Sequence, residues 1–180
     1  MELHAIERTA NAFQQGLTGL QIQAVAERAF GPGAEVRSAT ELGGGMYNTT
    51  YRIDLAGRAK PVVLRVALEP ARQFHSEREL MRVEYASMPW LAPVADLLPH
   101  VLAADFTQSV IGRDWMIQCF LPGTPAPELL SSYPKETHTA FFRQMGRSPH
   151  RCTRSPGPGS ARCAALTTRG GARPSSRPCI

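Results

Sequence analysis

The chain has 180 residues, 43% of them hydrophobic, 7% aromatic and 19% charged, an ordinary globular composition that excludes collagen, coiled coil and full disorder. It has no apolar run long enough to span a bilayer, and its opening Met-Glu-Leu-His-Ala-Ile-Glu-Arg has neither a basic n-region nor an apolar h-region, so the expectation is a cytoplasmic protein without membrane association. The net charge of +5 divides into −2 over residues 1–145 and +7 over residues 146–180, where seven Arg stand with no Lys, Asp or Glu.

In chain order, residues 4–15 read as a helix. Thr18 reads as the N-cap of a second helix carrying Leu20, Ala24, Val25, Ala29 and Phe30 at helical spacing. Gly31-Pro32-Gly33 ends it. From Glu35 the pattern becomes extended over 35–42, then 49–55, where Tyr51, Ile53 and Leu55 alternate, then 61–66, a meander of three antiparallel strands. Ser76 reads as the cap of a helix reaching about Met88, with Leu80, Met81, Tyr85 and Met88 on one face and Pro89 closing it. Residues 101–105 and 115–121 predict two more strands around a turn at 107–113, and a last helix is expected near 135–145. The fold class is α+β: a five-stranded antiparallel sheet with one helix inserted after its third strand, preceded by N-terminal helices.

The last 35 residues contain five Pro, five Gly and five Ser, no aromatic residue, and only Leu166 and Ile180 of the large aliphatics, too little apolar area to offset chain entropy. They read as disordered. Cys119 stands alone in the body while Cys152, Cys163 and Cys179 fall in the tail, so a disulfide framework is not expected and a lone thiol fits a reducing compartment. Zinc binding by those three cysteines and His150 is disfavoured, since no Cys-x-x-Cys pair occurs. Without aromatic residues for stacking, the Arg-rich tail predicts only non-specific, salt-sensitive contact with nucleic acid.

The chemistry concentrates in Glu41-Leu-Gly-Gly-Gly-Met-Tyr-Asn-Thr-Thr-Tyr-Arg-Ile53, where Gly43, Gly44 and Gly45 lie between two expected strands. Such a hairpin can fold over phosphates and direct N–H groups at them, although alone it is more often simply a hairpin. Arg65 interrupts the apolar run Val62-Val63-Leu64-Arg65-Val66. Facing the sheet interior it needs an anionic partner, and Glu84 on the next helix can supply one. A strand cation paired with a helix carboxylate beside a glycine-rich hairpin is the arrangement that holds ATP phosphates in kinase-type folds. The bland alternative is a solvated edge arginine and an exposed helix carboxylate.

These residues resemble the aminoglycoside phosphotransferase family of small-molecule kinases, which share the protein-kinase-like fold. Leu42-Gly-Gly-Gly-Met-Tyr-Asn-Thr-Thr-Tyr-Arg-Ile is similar to its phosphate-covering loop, including Met46 and Asn48. Val63-Leu-Arg-Val is similar to its third strand, with Arg65 where Lys is usual, and Met81-Arg-Val-Glu-Tyr-Ala-Ser-Met-Pro-Trp-Leu-Ala-Pro to the helix bearing the paired Glu84. Leu98-Pro-His-Val-Leu-Ala-Ala-Asp and Trp115-Met-Ile-Gln-Cys-Phe-Leu-Pro-Gly123 resemble the fourth strand and the fifth strand with hinge. The resemblance implies ATP as the nucleotide, the C=O of Cys119 and N–H of Leu121 on the adenine edge, Mg²⁺ in the intact family, and a small hydroxyl-bearing acceptor. It also implies a division into residues 1–123, a nucleotide-binding lobe with hinge; 124–147, the start of a helical second lobe; and 148–180, the disordered tail.

The family's catalytic Asp and metal-binding Asp or Asn follow the hinge, in a second lobe with His-x-Asp-x-x-x-x-Asn. Here the last Asp is Asp114, the only later carboxylates are Glu128 and Glu136, and no His is followed two residues later by Asp. A truncated, inactive phosphotransferase is therefore expected, or alternatively a non-catalytic nucleotide- or partner-binding module of pseudokinase type. A frameshift near Arg147 or Ser148 accounts for the loss: one permitted G/C-rich coding of His150 to Arg162, read two bases later, yields Pro-Val-His-Ala-Val-Pro-Gly-Pro-Gly-Phe-Gly-Pro, the segment expected there. The coding DNA beyond codon 147 decides this, and a frame that does not yield that alternative rules it out.

Overall fold

The computed structural model describes residues 1–9, 12–45 and 47–153. Within them the chain divides into two compact units, one comprising Met1–Tyr85 and His100–Phe120, the other Ala86–Pro99 and residues 121–153.

The first unit is built on a six-stranded sheet of β1 (Glu2–His4), β2 (Val36–Leu42), β3 (Thr49–Leu55), β4 (Val62–Val66), β5 (Val101–Asp105) and β6 (Trp115–Cys119), in the order β1-β2-β3-β4-β6-β5. The α+β class and the five antiparallel strands agree with the sequence reading. The sixth strand corrects it. β1 adds in parallel to β2 through Glu2↔Ser38, Leu3↔Ala39 and His4↔Thr40, and residues 5–9 and 12–17 carry no helix. Tertiary partners take up that segment's polar backbone groups: the Glu41 carboxylate accepts from the Ile6 N–H at 3.0 Å, and Arg72 and Arg113 donate to the carbonyls of Ala12 and Gln15 at 3.0 and 2.9 Å. Each bond replaces one that a helix would have made within itself.

Among the described residues one N-terminal helix precedes the meander, α1 (Gly19–Phe30). Its start is a capping box: the Thr18 hydroxyl accepts from the Gln21 N–H at 3.3 Å while the Gln21 side-chain oxygen accepts from the Thr18 N–H at 2.9 Å. Gly31, at φ +102°, ends it and donates to the Glu27 carbonyl. The buried face is Ile22, Val25 and Ala26, and Leu20 is 84% exposed, so the expected apolar face is rotated. That face packs on Ala39, Tyr51, Ile53, Val62, Leu64 and Trp115 of the sheet, each large side chain worth about 1.5–3 kcal/mol when fully buried.

The opposite sheet face carries a second, smaller cluster in which Met116 of β6 and Met81 of α2 (Leu80–Ser87) are buried with Ala67, alongside Val101, Ala104 and Phe106. Strand alternation assigns the two faces: in β4, Val62, Leu64 and Val66 look into the main core while Val63 and Arg65 occupy the other face. The helix does not start at Ser76. A 3-10 turn at His75–Glu77 and a left-handed Glu79 (φ +62°) precede α2, and Leu80 and Tyr85, expected on its buried face, are 51% and 36% exposed.

In the second unit, Met88–Leu97 forms a 3-10 stretch containing Pro89 and Pro93, which remove backbone donors from a regular α-helix. It packs against α4 (Lys135–Thr153), and α3 (Ala126–Leu129) is a single turn. α4 continues beyond the expected end near 145, so the backbone of the first residues assigned to a disordered tail is helical. Residues 154–180, where the rest of that tail falls, lie outside the described residues. No helix among the described residues is long and apolar enough to cross a membrane.

Candidate functional site

The site expected from the sequence begins where β2 ends. The turn between β2 and β3 contains Gly43, Gly44 and Gly45, all exposed. Gly44 adopts φ +88°, a region that an L side chain enters only under strain. At Gly45 an added Cβ would stand 3.1 Å from the Asn48 carbonyl oxygen, so a side chain there crowds the turn's return to β3. Asn48 is half-buried, and Met46 lies outside the described residues.

Gln14, which sequence reasoning did not single out, reaches this turn. Its carboxamide N–H₂ donates to the Gly45 carbonyl at 2.8 Å and the Asn48 carbonyl at 3.1 Å. Its oxygen accepts from Arg8 Nη2 at 3.3 Å, and Arg8 Nη1 lies 2.6 Å from the buried Glu41 carboxylate. No local motif could have found this, because Gln14 and its two carbonyl partners are separated by more than thirty residues.

The register of β3 on β4 places Arg65 opposite Thr50, two positions after Asn48. Its guanidinium grips Glu84 of α2 with two parallel bonds, Nη1 to Oε1 at 2.5 Å and Nη2 to Oε2 at 2.9 Å. The sequence reading placed this arginine in the sheet interior. Instead the side chains remain 24% and 35% exposed, because β4 turns Arg65 away from the main core, to the face where it meets α2. In such a fork-to-fork pair the carboxylate occupies one edge of the guanidinium and leaves the remaining N–H donors for another anion.

A second bidentate pair, absent from the sequence reading, fastens the same helix. Arg82 donates to Asp114 from Nε at 2.7 Å and Nη2 at 2.9 Å, and also from Nη2 to the Phe106 carbonyl at 2.7 Å. Asp114, 5% exposed, accepts further from Gln108 at 3.0 Å. Its hydrogen bond holds the Arg82 pKa above the usual arginine value against the opposing effect of burial. Next to it, burial lowers the pKa of Arg113, which is 4% exposed, with the Glu69 charge pulling the other way.

Cys119 and Leu121, expected at the adenine edge, fall in different units. Cys119 ends β6, is 4% exposed and donates its N–H to the His100 carbonyl at 2.8 Å. Leu121 belongs to the second unit and is 55% exposed. Cys119 was expected as a lone thiol; it is disulfide-bonded.

Two cavities occur. One of about 20 Å³, room for a single water, lies beneath the turn, lined by Tyr47, Asn48, Glu77, Met81 and Asp114 among others. The other, about 380 Å³, is in the second unit, lined by Leu129, Leu130, Tyr133 and Phe141 with no charged side chain. The charged side chains lining the smaller one are Glu77, Glu79 and Asp114, all acidic, and neither Arg65 nor the three glycines line it. No group of three His, Cys, Asp or Glu side chains that could hold a metal ion occurs among the described residues.

Neither the protein-family models nor the curated proteins contain a match to this chain. Among solved structures it is similar to a candidate aminoglycoside phosphotransferase from Ralstonia eutropha JMP134, with a TM-score of 0.42 and 21% identity, over 59% of this chain. The matched part spans 29% of that structure's chain.

Proposed function

We propose that the sheet unit is the nucleotide-binding lobe of an ATP-dependent small-molecule O-phosphotransferase of the aminoglycoside phosphotransferase type, present here in a form that binds nucleotide without transferring phosphate. The observation that carries this reading is the bidentate Arg65–Glu84 pair, on the strand and helix that follow a turn with a left-handed glycine. In this reading the turn's N–H groups and the outward donors of Arg65 take the α- and β-phosphates, and Glu84 holds the guanidinium in place. The acceptor is a small hydroxyl compound recognised by residues outside this lobe.

ATP fits the residues present: the turn excludes side chains at Gly44 and Gly45, and a fork of N–H donors matches phosphate oxygens. Mg²⁺ does not. The described residues hold no ligand cluster, and the sequence holds no Asp after Asp114 to bind metal or orient an acceptor hydroxyl. The non-catalytic alternative, a pseudokinase-like module, is favoured by the same facts.

Thermal unfolding with and without ATP tests the reading. At 100 times Kd, binding adds about 2.7 kcal/mol, a rise of roughly 5–10 °C in Tm for a chain of this size. Arg65→Ala should abolish that rise, and no phosphate should pass from ATP to an aminoglycoside. An ATP-induced rise that survives Arg65→Ala removes the site; measurable turnover contradicts the inactive form.

A further inference from the structure

The N-terminal segment, residues 5–9 and 12–17, is used by none of the chemistry above, yet its polar groups converge on the glycine turn from both sides. At the β2 shoulder, Glu41 accepts from the Ile6 N–H and pairs with Arg8. At the β3 shoulder, Thr49 Oγ1 donates to the Gln15 carbonyl at 3.0 Å, and the Leu17 N–H donates to the Tyr51 hydroxyl at 2.6 Å. Between them Gln14 takes two carbonyls of the turn and is itself oriented by Arg8. Phe13 lies against Phe74 and Tyr47, with ring centroids 5.6 and 6.3 Å apart, adding apolar contact to the polar ties.

We propose that this segment is a positioning strap for the phosphate-binding turn, with Gln14 as its principal positioning residue, so that strap order and nucleotide affinity are coupled. A run of three glycines loses more conformational freedom on ordering than any other sequence. A ligand that must order the turn binds more weakly by that amount, and a strap that orders it beforehand restores the affinity. The direction of the bonds matters as well. In a trans peptide the N–H points opposite to the C=O, so holding the Asn48 carbonyl on the strap side turns the N–H of the same peptide, that of Thr49, to the other side. Coupling is reciprocal: whatever the strap adds to nucleotide affinity, the nucleotide adds to strap order.

This inference rests on the nucleotide reading for its functional consequence but not for its geometry, and the experiment keeps the two apart. In the full chain, ¹⁵N order parameters of Gly43, Gly44 and Gly45 should match rigid backbone, about 0.8, and fall below about 0.6 in Gln14→Met, which keeps the side-chain length and removes its donors. Strands β4 and β6 should be unchanged. Arg8→Gln, which frees both Gln14 and Glu41, should show a smaller drop and provides the readout if Gln14→Met does not fold. ATP affinity should weaken about fivefold in Gln14→Met, in keeping with one or two neutral hydrogen bonds, and ATP should slow hydrogen exchange of the Ile6 amide in the unsubstituted chain. Unchanged glycine order parameters in both variants, or unchanged ATP affinity with a loosened turn, overturn the strap. If the unsubstituted chain binds no ATP while the variants loosen the turn, the nucleotide reading fails and the strap's hold on the turn stands.

Discussion

Tyr51 shows how much one side chain holds in this chain. It is fully buried, and its hydroxyl accepts the Leu17 N–H. Burial pushes its pKa above the ordinary 10.0; the Leu17 bond opposes that rise and the Glu41 carboxylate adds to it. The unfolded chain gives up this proton near pH 10 while the folded chain retains it, so its contribution to stability is intact below pH 10 and is lost as pH rises through the folded value. Tyr51→Phe should cost about 1–3 kcal/mol at pH 7, because the Leu17 N–H is left buried without an acceptor, and should lessen the fall in urea midpoint between pH 7 and pH 10.5. An equal alkaline fall in both proteins contradicts this. Alternation with Ile53 and Leu55 made Tyr51 legible as a core position, but its hydroxyl partner lies 34 residues away. The same limit hid Gln14. Arg65 and Glu84 were legible because a cation in an apolar strand demands a partner, and the next helix offered one at a suitable spacing.

At the scale of elements, α2 is held by two forks of opposite polarity, Arg65 reaching it from β4 and Arg82 reaching from it to Asp114. Its own apolar contribution is small, Met81 being its only buried side chain. The Arg82–Asp114 fork should therefore matter more than an exposed ion pair: Arg82→Ala leaves the buried Asp114 with only Gln108 among its side-chain donors and should cost about 1–3 kcal/mol. A double-mutant cycle of Arg82→Ala with Asp114→Asn, followed by urea unfolding, should show coupling above about 0.5 kcal/mol. Additive losses would mean that the pair does not hold the helix. Strands β2 to β6 and α1 could be read from alternation, caps and glycine stops. β1 could not, because a three-residue strand has too short a pattern, and the strap behind it is shaped by Glu41, Arg72 and Arg113 rather than by its own periodicity. The late start of α2 is not legible because Ser76 is a good cap in isolation, whereas the chain passes through an exposed, left-handed Glu79 just before the helix.

At the scale of the molecule, the pieces that would hold a nucleotide and those that would perform chemistry on it separate. Gly43 to Gly45, Arg65 and Glu84 belong to one compact unit. Beyond Asp114 the chain has two Glu and no Asp, and what we propose for the first unit is nucleotide binding. That claim is tested most directly by titrating ATP into the ¹⁵N-labelled full chain. The expected result is saturable shifts of the Gly43, Gly44 and Gly45 amides and the Arg65 side-chain N–H, absent in Arg65→Ala. Saturation without shifts at those positions, or shifts confined to the apolar cavity at Leu129 and Phe141, would contradict it.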